Sequence, residues 1–207
     1  MTGTIQIDLF STLDGVMQAP GGPQEDTSGG FAYGGWQAPF QDDAIGERII
    51  AGIRGMDALL LGRRTYDIFA AYWPAFADDQ RPEFEIARKF NAMPKYVATR
   101  GDRELTWHNS HRLGPDLAAE IAGLRERHAD VHVVGSIDFS RTLVAEGLFD
   151  VLNLAIYPIV LGAGKRLFPE SGGARGLQLL EPPVSGSAGA TWLRYGPGEP
   201  VRTGDMT

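Results

Sequence analysis

Apolar residues recur along this chain in two rhythms, one of two residues and one near 3.6, and their alternation predicts a fold class. Ile5, Ile7 and Leu9 fall on one face of the two-residue repeat and give a first strand over residues 4–10. Ile45, Ile49, Ile50 and Ile53 follow the helical period from a start at Asp42 or Asp43, with Gly52 and Gly55 weakening the helix end. The segment 57–62, apolar after Asp57, reads as a strand covered on both faces. A helix restarts at Arg63 until Pro74 ends or interrupts it, and a second short one follows with Pro82 in its first turn. Residues 95–100 predict another strand, and Leu-Thr-Trp at 105–107 is a candidate for a short one. Leu117, Ile121 and Leu124 mark the inward face of a helix between Pro115 and His128. Val131, Val133 and Val134 open a β-branched strand that turns at Gly135-Ser136 into a helix beginning near Ile137. Residues 151–162 read as a long strand in which Pro158 demands a bulge or an edge. Segments 176–186 and 190–197 close the pattern as an antiparallel pair.

This order, βαβαβαβ with an antiparallel ending, predicts an α/β fold: a mostly parallel twisted sheet flanked by helices and finished by a C-terminal hairpin. No internal repeat or linker divides the chain. The expectation is one domain over residues 1–207, with 198–207 as a loose tail. At 207 residues, with 43% hydrophobic positions, a sizeable core is available.

Composition narrows the function. A formal net charge of −7 argues against nucleic acid and anionic membrane as partners. The absence of cysteine excludes disulfides, thiolate catalysis and cysteine-ligated metal centres. The first ten residues have neither a basic start nor a long apolar run, so the expected location is the cytoplasm. The glycine-rich stretch from Asp14 to Gly35 is long for a compact domain. It reads either as a lid, with Phe31, Tyr33 and Trp36 as its apolar content, or as a surface insertion.

Candidate chemistry collects where strands give way to helices. Gly135 permits a sharp turn, and the helix after Ser136 directs unpaired N–H groups at whatever approaches, which suits an anion. Read alone, the same fragment equally fits an ordinary connection capped by Ser136. Gly62 ends a strand, and Arg63, Arg64 and Thr65 occupy the first helical turn, where a cation is disfavoured unless an anion binds between it and the helix end. Solvated surface arginines are the plain alternative. Thr99 and Arg100 follow a third strand. In a parallel sheet these strand ends share one edge, the usual ligand edge of open α/β sheets, and two anion sites there suit a dinucleotide.

Five segments occur in one order: STLDG (11–15), LLLGRRTYD (59–67), KYVATR (95–100), VVGS (133–136) and YPIVLGAGKRLF (157–168). Over roughly residues 4–195 the chain resembles the dihydrofolate-reductase superfamily. Within it the resemblance is closest to the stand-alone relatives of the reductase domain of the bifunctional riboflavin-biosynthesis deaminase–reductase. The resemblance implies NADPH as cofactor, a small-molecule substrate and a homodimer. It also implies that Gly62, Arg63, Arg64 and Thr65 hold the 2′-phosphate and its neighbour, that Thr99 and Arg100 flank the adenosine ribose, and that Gly135, Ser136 and Ile137 cradle the pyrophosphate. Asp14 and Gly15 would border nicotinamide and substrate. Gly162, Gly164 and the turn from Lys165 to Phe168 match the family's long-strand signature.

Two departures qualify the match. No zinc-deaminase motif is present, so this chain is not the bifunctional enzyme. Folate reductases place one carboxylate on the first helix, and here Asp42, Asp43 and Glu47 compete for that place. Asp42 and Asp43 fit helix-start acids, whereas Glu47 lies a turn further in. His128 and His132 are four apart but fall on different elements and make no metal pair. The expected function is hydride transfer from NADPH to a small flat heterocycle, pterin-like or aminopyrimidine-like, similar to 5-amino-6-(5-phosphoribosylamino)uracil reduction. Glu47, Asp43 or Asp14 would supply the proton, with Asp14, Trp36 and Glu47 against the substrate. The alternative is a non-catalytic NADPH-binding or sensor module.

Overall fold

The computed structural model describes residues 2–81, 84–168 and 173–205. Among the described residues nine strands form one sheet: β1 (Thr4–Thr12), β2 (Ala58–Gly62), β3 (Lys95–Ala98), β4 (Ser110–Arg112), β5 (Asp130–Val133), β6 (Val151–Tyr157), β7 (Leu177–Leu179), β8 (Val184–Ser185) and β9 (Thr191–Pro197). Their order is β4-β3-β2-β5-β1-β6-β9-β7, with β8 paired to β9. The pairs from β4 through β6 are parallel, and β9 runs antiparallel to β6, β7 and β8. This is the predicted mostly parallel sheet with an antiparallel C-terminal edge.

The two-residue repeat of β1 divides the helices between the sheet faces. Ile5, Ile7 and Leu9 are buried with Ile121 and Leu124 of α4 (Leu117–Arg127) and Phe139 and Leu143 of α5 (Ile137–Glu146). On the opposite face lie α1 (Asp43–Gly55), α2 (Arg63–Tyr72) and α3 (Glu85–Ala92). There Leu59 and Leu61 pack with Tyr66 and Phe90, and Ile45 packs with Tyr157 and Trp192. Every residue of β2 is buried, as an apolar strand between two helical layers requires.

Several boundaries differ from those the pattern predicts. The short strand lies at Ser110–Arg112, not at 105–107. Leu105 and Trp107 belong instead to the cluster around Tyr66, and Trp107 donates its backbone N–H to Tyr66 Oη and its indole N–H to Asn91 Oδ1. β6 stops at Tyr157 because Pro158 cannot extend the ladder. α1 continues through Gly52 and is opened by Asp42, whose carboxylate accepts from the Ala44 and Ile45 N–H groups. Residues 198–205 carry no helix or strand. Pro82 and residues 206–207 lie outside the described residues. Among the described residues no helix is long and apolar enough to cross a membrane.

Candidate active site

A cavity of about 820 Å³ opens over the α1–α3 face of the sheet and receives side chains from β1, β5, β6, α1, α2, α3 and the loop before α1. Its apolar walls include Phe10, Ile49, Ile53, Phe69, Phe90 and Trp192.

One wall is made by the β2–α2 and β5–α5 connections. Arg64 and Thr65 from the first meet Gly135, Ser136, Ile137 and Asp138 from the second along this cavity. Gly135 takes φ +90° and lies so close to Thr65 that an added Cβ would stand 2.9 Å from Thr65 Oγ1. A Cβ at Gly62 would collide with Ser136 Oγ, so Gly62 supports the wall from behind. The Gly135–Ser136 peptide is cis. Ser136 makes no side-chain cap, and the amino end of α5 faces the cavity without one.

Part of the glycine-rich loop borders the cavity, with residues 17–26 among its lining. Buried Gln18 ties that loop down. Its Nε2 donates to the carbonyls of Asp26 and Ser28 at 3.0 Å, and its Oε1 accepts from the Lys165 N–H at 3.2 Å. Asp26 accepts from Lys165 Nζ at 2.6 Å and from Arg64 Nη1 at 3.1 Å, while Arg64 also donates to Ser28 Oγ at 2.7 Å. Burial would raise the Asp26 pKa, but the hydrogen bonds of Lys165 and Ser28 outweigh it and hold the group at about 2. Lys165 thus adds a second cation beside Arg64 at the cavity.

The floor is polar. Asp8 (β1), His132 (β5) and Asn153 (β6) stand on three adjacent strands and all line the cavity. His132 is 1% exposed and lies between two carboxylates: Nδ1 donates to Asp8 Oδ2 at 2.6 Å, and Nε2 stands 3.2 Å from Asp130 Oδ2. Burial disfavours the charged ring, but the contacts with Asp130 and Asp8 prevail and raise its pKa to about 9. Asn153 Nδ2 donates to Asp8 Oδ1 at 2.8 Å and to Gln6 Oε1 at 3.1 Å. The hydrophobic pattern does not mark these three residues as a group. Gln6 and Asp8 alternate with the buried Ile5, Ile7 and Leu9 and so resemble a solvent face. The available signal was Asn153, a polar residue within the apolar run of β6.

The other residues singled out from the sequence are distributed as follows. Arg63 turns away from the cavity, donating to Asp67 and to the carbonyls of Arg103 and Glu104. Thr99 and the exposed Arg100 follow β3 and do not line the cavity. Asp43 and Glu47 are exposed on the neighbouring groove beside Phe40 and Tyr157. Asp14 accepts from Thr12 Oγ1, the Leu161 and Gly162 N–H groups and Arg166, an arrangement that fastens the end of β1 to the 161–166 turn. Burial opposes its ionisation, yet these bonds lower its pKa to about 2. Trp36 is buried, donates Nε1–H to the Gln18 carbonyl at 2.8 Å and packs edge-on to Tyr157.

Comparison with known proteins matches this arrangement of strands and loops. The Bacillus subtilis (strain 168) protein YyaP, itself uncharacterised, is 27% identical over 165 residues, covering 79% of each chain. A solved structure from Shewanella sp. PV-4, assigned to riboflavin biosynthesis, superposes with a TM-score of 0.70 at 18% identity, covering 95% of this chain and 99% of that one. Dihydrofolate reductase from Enterococcus faecalis, complexed with NADP(H), gives 0.56 at 13% identity over 96% and 99% of the two chains. Residues 3–182 match the family model for the RibD C-terminal domain, and the chain belongs to that family.

Proposed function

We propose that the protein is an NADPH-dependent reductase that passes a hydride to a small flat heterocycle. Membership of the RibD C-terminal family and the dihydrofolate-reductase-like fold support reductase-type chemistry. The observation that carries the cofactor is the shared wall: Arg64-Thr65 and Gly135-Ser136-Ile137, from different strand ends, border one cavity. These residues fit a phosphorylated dinucleotide. Gly135 leaves a cradle that a Cβ would fill, the amino end of α5 offers N–H donors, and Arg64 and Lys165 supply positive charge. When bound, the dihydronicotinamide supplies the hydride. The chain's own part is orientation and exclusion of water: the apolar wall of Phe10, Ile49, Ile53 and Trp192 shields the acceptor, and residues 17–26 cover it.

In this reading Arg64 and Thr65 contact the 2′-phosphate, and Gly135, Ser136 and Ile137 the pyrophosphate. Arg63, Thr99 and Arg100 lie outside the cavity lining, and Asp14 and Trp36 hold the loop. Asp43 and Glu47 lie on the outer groove, and Asp8 is the acid on the cavity floor. The chain is read as one domain that pairs with a second copy, which light scattering tests directly. The test of the cofactor assignment is Arg64→Ala. NADPH affinity should fall ~10–100-fold, the loss of one charge-assisted hydrogen bond worth about 1.5–3 kcal/mol. NADH, which has no 2′-phosphate, should be little affected. Equal losses for the two cofactors would contradict the assignment, and a wild-type chain that binds neither would remove the reading.

A further inference from the structure

The chemistry of the cavity changes along α2. Arg64, Ile68 and Tyr72, and beside them Thr65, Phe69 and Trp73, recur every four residues and line it along the length of the helix. Arg64 and Thr65 belong to the wall with Gly135 and Ser136, whereas Tyr72 lies about 12 Å further along the helix axis. At that far end α1 and its C-cap contribute Ile53 and Met56, and α3 contributes Ile86 and Phe90. None of these far-end residues is charged. Ile53, Phe69, Trp73 and Ile86 pack against Met56 and Phe90 in one apolar cluster, yet they stay only partly buried. Three helices thus turn apolar side chains toward one space without closing it, which marks a place for an apolar ligand group. The arginines and the lysine of the lining are engaged elsewhere: Arg64 and Lys165 bond to Asp26, and Arg48 lies 3.4 Å from Glu181.

Gly52 joins this end to the polar floor. It lines the cavity just before Ile53, and an added Cβ would lie 3.6 Å from His132 Cε1. That is ordinary contact, and among the described residues no other side chain would come within 4 Å. The helix runs through this position without a break. Neither backbone geometry nor packing therefore calls for glycine here, although glycine inside a helix is less stable than alanine. We infer that Gly52 is a specificity-determining position: by omitting a side chain it lets an uncharged apolar arm of the acceptor, such as an aryl group, reach from the floor into the space between α1, α2 and α3. An arm ending in phosphate meets no cation there and would lose its hydration against apolar walls, so it is disfavoured. The inference deepens the reductase reading by naming the substituent of the acceptor, and it rests on that reading for the site's purpose.

The probes are 1-benzyluracil, 1-methyluracil and uridine 5′-monophosphate, which share one ring and differ in the arm. Each is titrated calorimetrically into the full chain with and without saturating NADP⁺, the cofactor serving to occupy the Arg64 wall. 1-Benzyluracil should bind at least ~10-fold more tightly than either of the others. Gly52→Leu should reduce that preference to less than ~3-fold by filling the space. Gly52→Ala should weaken benzyluracil less and should raise the urea midpoint, because a better helix former replaces glycine. Gly46→Ala, on the same helix but on the outer groove with nothing within 4 Å of its added Cβ, should raise the midpoint and leave the benzyl preference unchanged. Equal affinities for the benzyl and methyl probes, tighter binding of the phosphate probe, failure of all three to bind, or a preference that survives Gly52→Leu would overturn the inference. So would a Gly52→Ala chain less stable than wild type, since the glycine would then serve the fold. NADP⁺ binding without an arm preference removes the subsite and leaves the reductase reading. An arm preference dependent on Gly52 in a chain that does not bind NADP⁺ does the reverse.

Discussion

Asp26 is a single carboxylate satisfied by two cations, Arg64 and Lys165, both on the cavity. Its folded-state pKa of about 2 keeps it ionised at any ordinary pH. A cofactor phosphate arriving at Arg64 has to compete with that carboxylate. Asp26→Asn removes the competitor while keeping the hydrogen-bonding shape. The expected result is NADPH binding tightened about fivefold, on the order of 1 kcal/mol, because the Arg64 partner is half-exposed and the pair is screened. Titration at two salt concentrations checks the origin, since an electrostatic gain shrinks as salt rises. Unchanged or weakened binding would show that Asp26 positions the loop and does not compete with the ligand. Arg64 itself was legible from its place in the first turn of a helix. Its partner was not, because a carboxylate in a glycine-rich loop carries no periodic signal.

At the scale of elements, the helices and inner strands were legible because burial imposes period. Ile5, Ile7 and Leu9 face α4 and α5 as their spacing requires, and the all-apolar β2 lies between helical layers. β4 escaped because Ser-His-Arg at an edge has no apolar face to display. The polar floor escaped for the opposite reason: in β1, alternation looks the same whether the second face meets water or a ligand cavity. The 161–166 turn shows how an element fixes the site. Gly164 takes φ +137°, and a Cβ there would stand 2.5 Å from Val16 Cγ1. Gly164→Ala should therefore cost about 1–3 kcal/mol in urea unfolding. It should also loosen the loop, because Met17 and Gln18 bond to Lys165. Gly101→Ala, with nothing within 4 Å and no positive φ, is the control and should change stability by at most ~0.5 kcal/mol.

Two buried cations with opposite environments govern how the whole molecule responds to alkali. His132 has a folded pKa near 9 against 6.5 for the free group, so its contribution is complete below pH 6.5 and is lost as pH rises through 9. Lys95 is buried with its Nζ donating to the Asn91 and His108 carbonyls over the Trp107 ring and no carboxylate among these contacts, and burial lowers its pKa to about 8 from 10.5. Its penalty is complete below pH 8 and is relieved as pH rises toward 10.5. Burial lowers the pKa of His128 too, so its penalty disappears as pH rises through 6.5 and does not oppose a loss above it. Between pH 6.5 and 8 the His132 loss therefore dominates, and unfolding free energy should fall by about 1 kcal/mol. Above pH 9 the fall should level off or reverse as Lys95 loses its charge. His132→Gln should flatten the curve between pH 6.5 and 8 while lowering stability at pH 6.5, and Lys95→Met should remove the upper recovery. Urea midpoints across this range at constant ionic strength measure both arms. A wild-type chain whose midpoint rises from pH 6.5 to 8 would mean that the ring between Asp8 and Asp130 is neutral, and the charge assigned to the cavity floor would have to be revised with it.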